Sequence, residues 1–156
     1  MSGPQVTLHE RFVVDTPPAA VRAAFEDVPA VIDCIPGASI TATNPDGTFS
    51  GRIGVQYGET SVHLAGAIRR TLGEPLRVGV HAEGQDGLGS VRASGDITVE
   101  LASSGESATE VTITAEFSFA GVLAPLARSA TKIMGPQLMT SFGRCLGERA
   151  ADARGR

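Results

Sequence analysis

The sequence predicts an α+β domain in which a curved antiparallel sheet of about seven strands wraps around one long C-terminal helix, with two short helices after the first strand. Two patterns carry this. Between Thr48 and Phe119, apolar residues occupy alternate positions over five successive runs, as they do when one face of a sheet is buried. From about Val122 to Arg149 the apolar period changes to that of a helix.

Leu8 to Val14 reads as the first strand, with Leu8, Phe12 and Val14 on its apolar parity together with one charge, Glu10, which suits an edge position. Asp15 or Thr16 is expected to cap a short helix from Pro17 to about Phe25. A second short helix starts at Pro29 and stops at Pro36-Gly37. In the runs that follow, Phe49, Ile53, Val55 and Tyr57, then Val62, Leu64 and Ile68, then Leu76, Val78, Val80 and Ala82 share the inner parity. Ile97, Val99 and Leu101, then Val111, Ile113, Phe117 and Phe119 continue it. Asn44-Pro45-Asp46-Gly47, Gly58-Glu59, Gly73-Glu74-Pro75, Asp86-Gly87 and Ser104-Gly105 are turn chemistry joining these runs as hairpins. The helix stripe is Leu123, Leu126, Ala130, Ile133, Met134, Met139, Phe142, Cys145 and Leu146, and Gly135-Pro136 is expected to break or kink it, since Pro136 has no N–H to offer the Lys132 carbonyl. Residues 149–156 read as a frayed tail to a single domain spanning 1–156.

Composition excludes several classes of function. The net charge is −4 and Lys132 is the only lysine, so no basic stripe exists for nucleic acid. No apolar run is long enough to span a bilayer and no secretory signal opens the chain, which points to a cytoplasmic protein. Cys34 and Cys145 lie far apart without metal-ligand spacing; buried reduced thiols are the expectation, with a disulfide between them left open. His9, His63 and His81 fall on outward parities, with no acid spaced to orient them. Arg52, Arg69, Arg77 and Arg92 also face outward. No Ser-His-Asp arrangement and no metal set is present, so neither a catalytic nor a metal-binding residue is assigned. Tryptophan is absent and glycine is frequent inside the strands, so side-chain volume is missing where a core would be filled and a hollow interior is expected.

The order strand, two short helices, six strands, long helix resembles the helix-grip fold of the START and polyketide-cyclase (SRPBCC) superfamily. More specific are the stretches from Asp27 to Ala38, Asp46 to Ile53, Gly84 to Ser90 and Ala120 to Ala124, which resemble the G subunit of carbon monoxide dehydrogenase. The resemblance implies a non-enzymatic accessory protein that associates with a molybdenum hydroxylase of the carbon monoxide dehydrogenase type and links it to the membrane. It also implies a quinone or other lipid as bound ligand, with no covalent cofactor, and peripheral contact with the inner face of the cell membrane. Many relatives continue past the long helix into an apolar tail, whereas this sequence stops at Arg156, an expectation against anchoring through such a tail.

The expected ligand site is an apolar cavity bounded on the sheet by Phe49, Ile53, Val55, Tyr57, Leu64, Val80, Ile97, Phe117 and Phe119, and on the helix by Leu126, Ile133, Met134, Met139 and Phe142. The Tyr57 hydroxyl either reaches a ligand carbonyl or points to solvent at the strand end. Cys34-Ile35-Pro36-Gly37 reads as wall geometry rather than chemistry. Two rival readings remain: a small cyclase or hydratase acting in the same cavity, for which only Glu10 and Tyr57 could serve as acid or base, and a docking module whose interior is simply packed.

Overall fold

The computed structural model describes residues 5–154, apart from the side chains of Val55, Tyr57, Thr60 and residues 152–154. The elements are β1 (Val6–Val14), α1 (Pro18–Ala24), α2 (Val28–Asp33), β2 (Ala38–Thr43), β3 (Phe49–Tyr57), β4 (Thr60–Glu74), β5 (Arg77–Gln85), β6 (Arg92–Ser103), β7 (Thr109–Ala120) and α3 (Ala124–Arg154). The strands form one antiparallel sheet in the order β1-β7-β6-β5-β4-β3-β2, so the expected α+β class is observed and Glu10 does sit on an edge strand. Hairpins join β2 through β7 in sequence, and only β1 crosses over to pair with β7.

Three glycines set how closely α3 approaches the sheet. A Cβ on Gly135 would lie 2.6 Å from Leu8 Cδ1, one on Gly143 would lie 3.1 Å from the Phe12 ring, and one on Gly147 would lie 3.5 Å from Val14 Cγ1. Four residues along a helix advance about 6 Å and two along a strand about 6.8 Å, so α3 and β1 run side by side with these pairs nearly in step. Glycine here removes volume so that a neighbour can enter. The same holds at Gly95, where a Cβ would lie 2.6 Å from the Phe117 ring. Glycines in the helix therefore bring the layers together, Gly95 makes room for a cross-strand ring, and at these positions glycine does not leave the interior hollow.

The dry core lies toward one end of the molecule, where Val21 and Phe25 of α1 meet Val78, Val99, Leu101, Val111 and Ile113 of the sheet and Phe142, Leu146 and Ala150 of α3. Ala150 is fully buried and α3 continues to Arg154, so the helix does not fray at Arg149 as expected. The N-cap of α1 is Pro17, with no side-chain cap bond. Thr16 is buried instead, and its carbonyl accepts a hydrogen bond from Thr109 Oγ1 at 2.6 Å. Asp27 caps α2 by accepting from the Ala30 N–H at 3.2 Å.

Two further expectations, a break in α3 and reduced thiols, fail. Helix α3 passes through Gly135-Pro136 without interruption, because Gly135 is buried against Leu8 and Pro136 lies on the exposed side, where its missing donor and its ring cost the packing least. The cysteines are joined: Cys34, at the end of α2, forms a disulfide with Cys145 of α3, with their Cα atoms 5.4 Å apart. Sequence separation hid a pairing that needs α2 to fold back onto α3.

This bond closes a loop of 111 residues. Restricting so long a loop in the unfolded chain contributes about 2–5 kcal/mol. Replacing both cysteines with alanine should lower the stability by that amount, read from urea unfolding midpoints of the oxidised protein and the variant.

Candidate functional site: an open apolar trough

Cross-strand register decides which side chains share a face. Val6, Phe117, Gly95, Ala82, Ile68 and Phe49 form one row across β1, β7, β6, β5, β4 and β3. Phe119, Ala93, Gly84, Gly66, Gly51 and Ile40 form the next, on the same inner face. Beyond it Leu64 opposes Ile53, and on the other side Val80 opposes Ile97. The register thus brings together every expected sheet residue whose side chain is described; those of Val55 and Tyr57 lie outside the described residues.

Burial divides this face in two. Toward the core end Val78, Val99, Val111 and Ile113 are buried, whereas Phe49, Ile53, Leu64, Val80, Ile97, Phe117 and Phe119 are only half-buried despite their inner parity. Helix α3 approaches the sheet most closely at β1 and β7. The face beyond, on β3, β4 and β5, is left as an apolar trough open to solvent, floored by the small residues Ala93, Gly84, Gly66 and Gly51.

From α3, Phe142 is buried and Leu126, Met134 and Met139 are half-buried, whereas Ile133 is 64% exposed. Ile133 lies roughly half a turn around the helix from Ala124 and Phe142, which are buried. The expected stripe included it for its spacing of three from Ala130, which lets the stripe drift around the helix. In the unbroken helix, buried Gly135 and half-buried Leu138 take the sheet-facing positions.

Charge at the trough comes from a residue beyond the end of the expected strand. Strand β4 continues past Arg69 in unbroken register, which puts Arg70 opposite Val80 on the inner face, and then through a bulge between Arg70 and Leu72 to Glu74. Its Nη2 donates to the Phe25 carbonyl at 2.8 Å and its Nη1 to Glu26 Oε2 at 3.4 Å. Arg22 also donates to Glu26, and through Nε to the Glu74 carbonyl at 2.8 Å, so the two arginines fasten α1 to the end of β4. The Arg22 guanidinium, with Arg70 behind it, holds the Glu26 carboxyl below its ordinary range. The signal was present in Arg69-Arg70, since in any strand that continues, one of two adjacent residues must face inward.

On the outer face Arg52, His63, Arg69, Arg77 and Arg92 are exposed as expected. A second, polar cleft of about 350 Å³ lies there at the ends of β3, β4 and β5, lined by Arg52, His63, Leu64, Ala65, Gln85, Asp86 and Gly87. His9 is exposed and meets Thr114 Oγ1 at 3.1 Å.

His81 departs from expectation. Asp96 stands directly opposite it on β6 and Glu83 lies two residues along β5, so its ring reaches Asp96 Oδ1 at 2.8 Å and Glu83 Oε1 at 3.0 Å. Sequence spacing could not reveal the cross-strand acid. Hydrogen bonds to Glu83 and Asp96 raise the His81 pKa above its ordinary 6.5. A raised value means that the clamp stabilises fully below the unfolded value and that its contribution is lost as pH rises through the folded one. His81→Gln should therefore lower the urea midpoint at about pH 5 and make no difference by about pH 9.

Among the described residues no cluster of His, Cys, Asp or Glu is placed to hold a metal, and no helix is long and apolar enough to cross a membrane. Leu88 and Val122 are 92% and 84% exposed, on neighbouring turns tied together by the Leu123 N–H donating to the Ser90 carbonyl at 2.9 Å.

No curated protein matches the sequence. Among solved structures, a conserved protein from Geobacillus kaustophilus superposes with a TM-score of 0.79 at 14% identity, covering 95% of this chain and 97% of that one. The Zhui aromatase/cyclase from Streptomyces sp. R1128 gives 0.65 at 16% identity over 97% and 96%. A START superfamily protein from Mycobacterium smegmatis gives 0.57 at 13% identity over 94% and 97%. At such identities these establish a common fold, the START-like helix grip that the element order resembled. Residues 11–151, nearly the whole described chain, match the CoxG family, that of the carbon monoxide dehydrogenase G subunit, and the protein belongs to that family.

Proposed function

We propose that the protein is a non-enzymatic carrier that holds a lipophilic ligand, a quinone or other lipid, in the trough between sheet and α3. In this role it serves as an accessory to a molybdenum hydroxylase of the carbon monoxide dehydrogenase type. The observation that carries this is the half-buried apolar inner face at Phe49, Ile53, Leu64, Val80, Phe117 and Phe119, set against the dry core at the other end. Apolar burial contributes roughly 25 cal/mol per Å², so an acyl or isoprenoid chain laid on this face binds with few polar contacts. Family membership supports the hydroxylase as partner. The exposed Leu88 and Val122 support peripheral contact with a membrane, where the ligand would be exchanged.

The test is organic extraction and mass spectrometry of native protein, followed by titration with quinones of increasing tail length. Affinity should grow with the tail. Gly84→Leu should cut that growth short in protein of normal stability, because a Cβ at Gly84 meets nothing closer than 3.4 Å and the longer side chain projects from the trough floor. Affinity independent of tail length in both proteins would refute the carrier and leave the docking module.

A further inference from the structure

The turn from α2 into β2 is a strap across the trough side, fixed at two points of different chemistry. At one end the Gly54 N–H of β3 donates to the Gly37 carbonyl at 2.9 Å, and the backbones touch so closely that a Cβ on Gly37 would lie 2.3 Å from the Gly54 oxygen. At the other end Cys34 is bonded to Cys145 of α3. Three residue steps span at most about 10 Å, so the sheet must curl to bring β3 near α3, and Cys34 to Gly37 bridges the gap. Helix α2, which leads into the strap, has only six residues and none of them buried. Among the described elements its close packing is with β2, at the sheet edge. Val31 and Ile35 lie against the core cluster that includes Phe142 and Leu146 of α3, and the covalent bond reinforces this small apolar contact.

We propose that the Cys34–Cys145 disulfide is a redox latch that controls access to the trough; this rests on the carrier reading for its purpose, though not for its motion. Oxidised, the strap is tethered to both α3 and β3 and the ligand is retained. A dithiol reductant opens it. One thiolate attacks the sulfur of half-buried Cys145, a mixed disulfide forms there, and Cys34, which is buried, leaves as a thiolate and takes up a proton. The second thiol of the reductant then displaces Cys145, so the protein gains two electrons and two protons and the reductant leaves as a disulfide. The strap then keeps its Gly37–Gly54 hold and the apolar contacts of half-buried Val31 and Ile35, too small to hold α2, which swings away from α3.

The experiment compares the full chain air-oxidised, the same protein treated with dithiothreitol, and Cys145→Ser. Brief deuterium labelling reads α2, and displacement of a fluorescent long-chain fatty acid reads release. Within the first minute, Val28–Asp33 should exchange in the reduced protein and in Cys145→Ser but not in the oxidised protein, while β5 to β7 stay protected in all three. Release should accelerate about tenfold on reduction, with Cys145→Ser fast from the start and indifferent to reductant. Unchanged α2 exchange on reduction, exchange spreading equally through the sheet, or an air-oxidised chain that retains both thiols by mass would each overturn the latch. If α2 opens on reduction yet the fatty acid binds in neither state, the latch motion stands and the carrier reading falls.

Discussion

Ile97→Asp should abolish uptake of a lipophilic ligand, lowering affinity by at least about 100-fold, because an unpaired carboxylate in an apolar wall forfeits several kcal/mol of solvation. Ile97 stands in register between Val80 and Ala115, with no cation among its cross-strand neighbours. It also borders the dry core, so Ile53→Asp, opposite Leu64 and Ala38 and outside the buried cluster, gives a second version of the test. Each variant would be checked by circular dichroism and then titrated with a long-tailed quinone. A folded variant that binds as tightly as the parent would remove the trough from consideration as the site.

Gly37→Ala is expected to destabilise by about 2–5 kcal/mol, the sum of a left-handed backbone conformation unfavourable to any Cβ and a steric collision with backbone that cannot yield. Gly37 has φ +83° and its added Cβ would lie 2.3 Å from the Gly54 carbonyl oxygen. Gly47 separates the two contributions: it has φ +89° with nothing within 4 Å, so Gly47→Ala should cost only about 1 kcal/mol. Urea midpoints of the pair decide it, and equal losses would mean that the close approach to β3 adds nothing. A large difference supports reading Cys34-Ile35-Pro36-Gly37 as wall geometry, with its glycine where strap meets sheet.

Much of this was legible because strands write their burial into sequence with a period of two. Inner and outer faces of β3 through β7 followed from parity, and where the side chains are described the register agrees, from Ile53 opposite Leu64 to Gly95 opposite Phe117. Parity fails where a strand's bounds differ from its apolar pattern: Leu76, expected on the inner face, precedes β5 and is 51% exposed. Arg70 was missed because the expected strand ended at Arg69, one residue before regular alternation put the next charge on the inner face. Ile133 was misplaced because steps of three along a helix drift off the buried side, and it stands about half a turn from Ala124 and Phe142.

Local order, hairpin turns, the two short helices and the long amphipathic one are properties of neighbouring residues, and they follow from the amino-acid pattern alone. Contacts between residues distant in the chain emerge only on folding: the bond between Cys34 and Cys145, the clamp of Asp96 and Glu83 on His81, and Leu8, Phe12 and Val14 filling the space over Gly135, Gly143 and Gly147. Strand register sets the clamp on His81, and the first and last share another cause. A missing side chain or a lone cysteine is compatible with a void, a close approach or a covalent bond, and only the curl of the sheet around α3 selects among them.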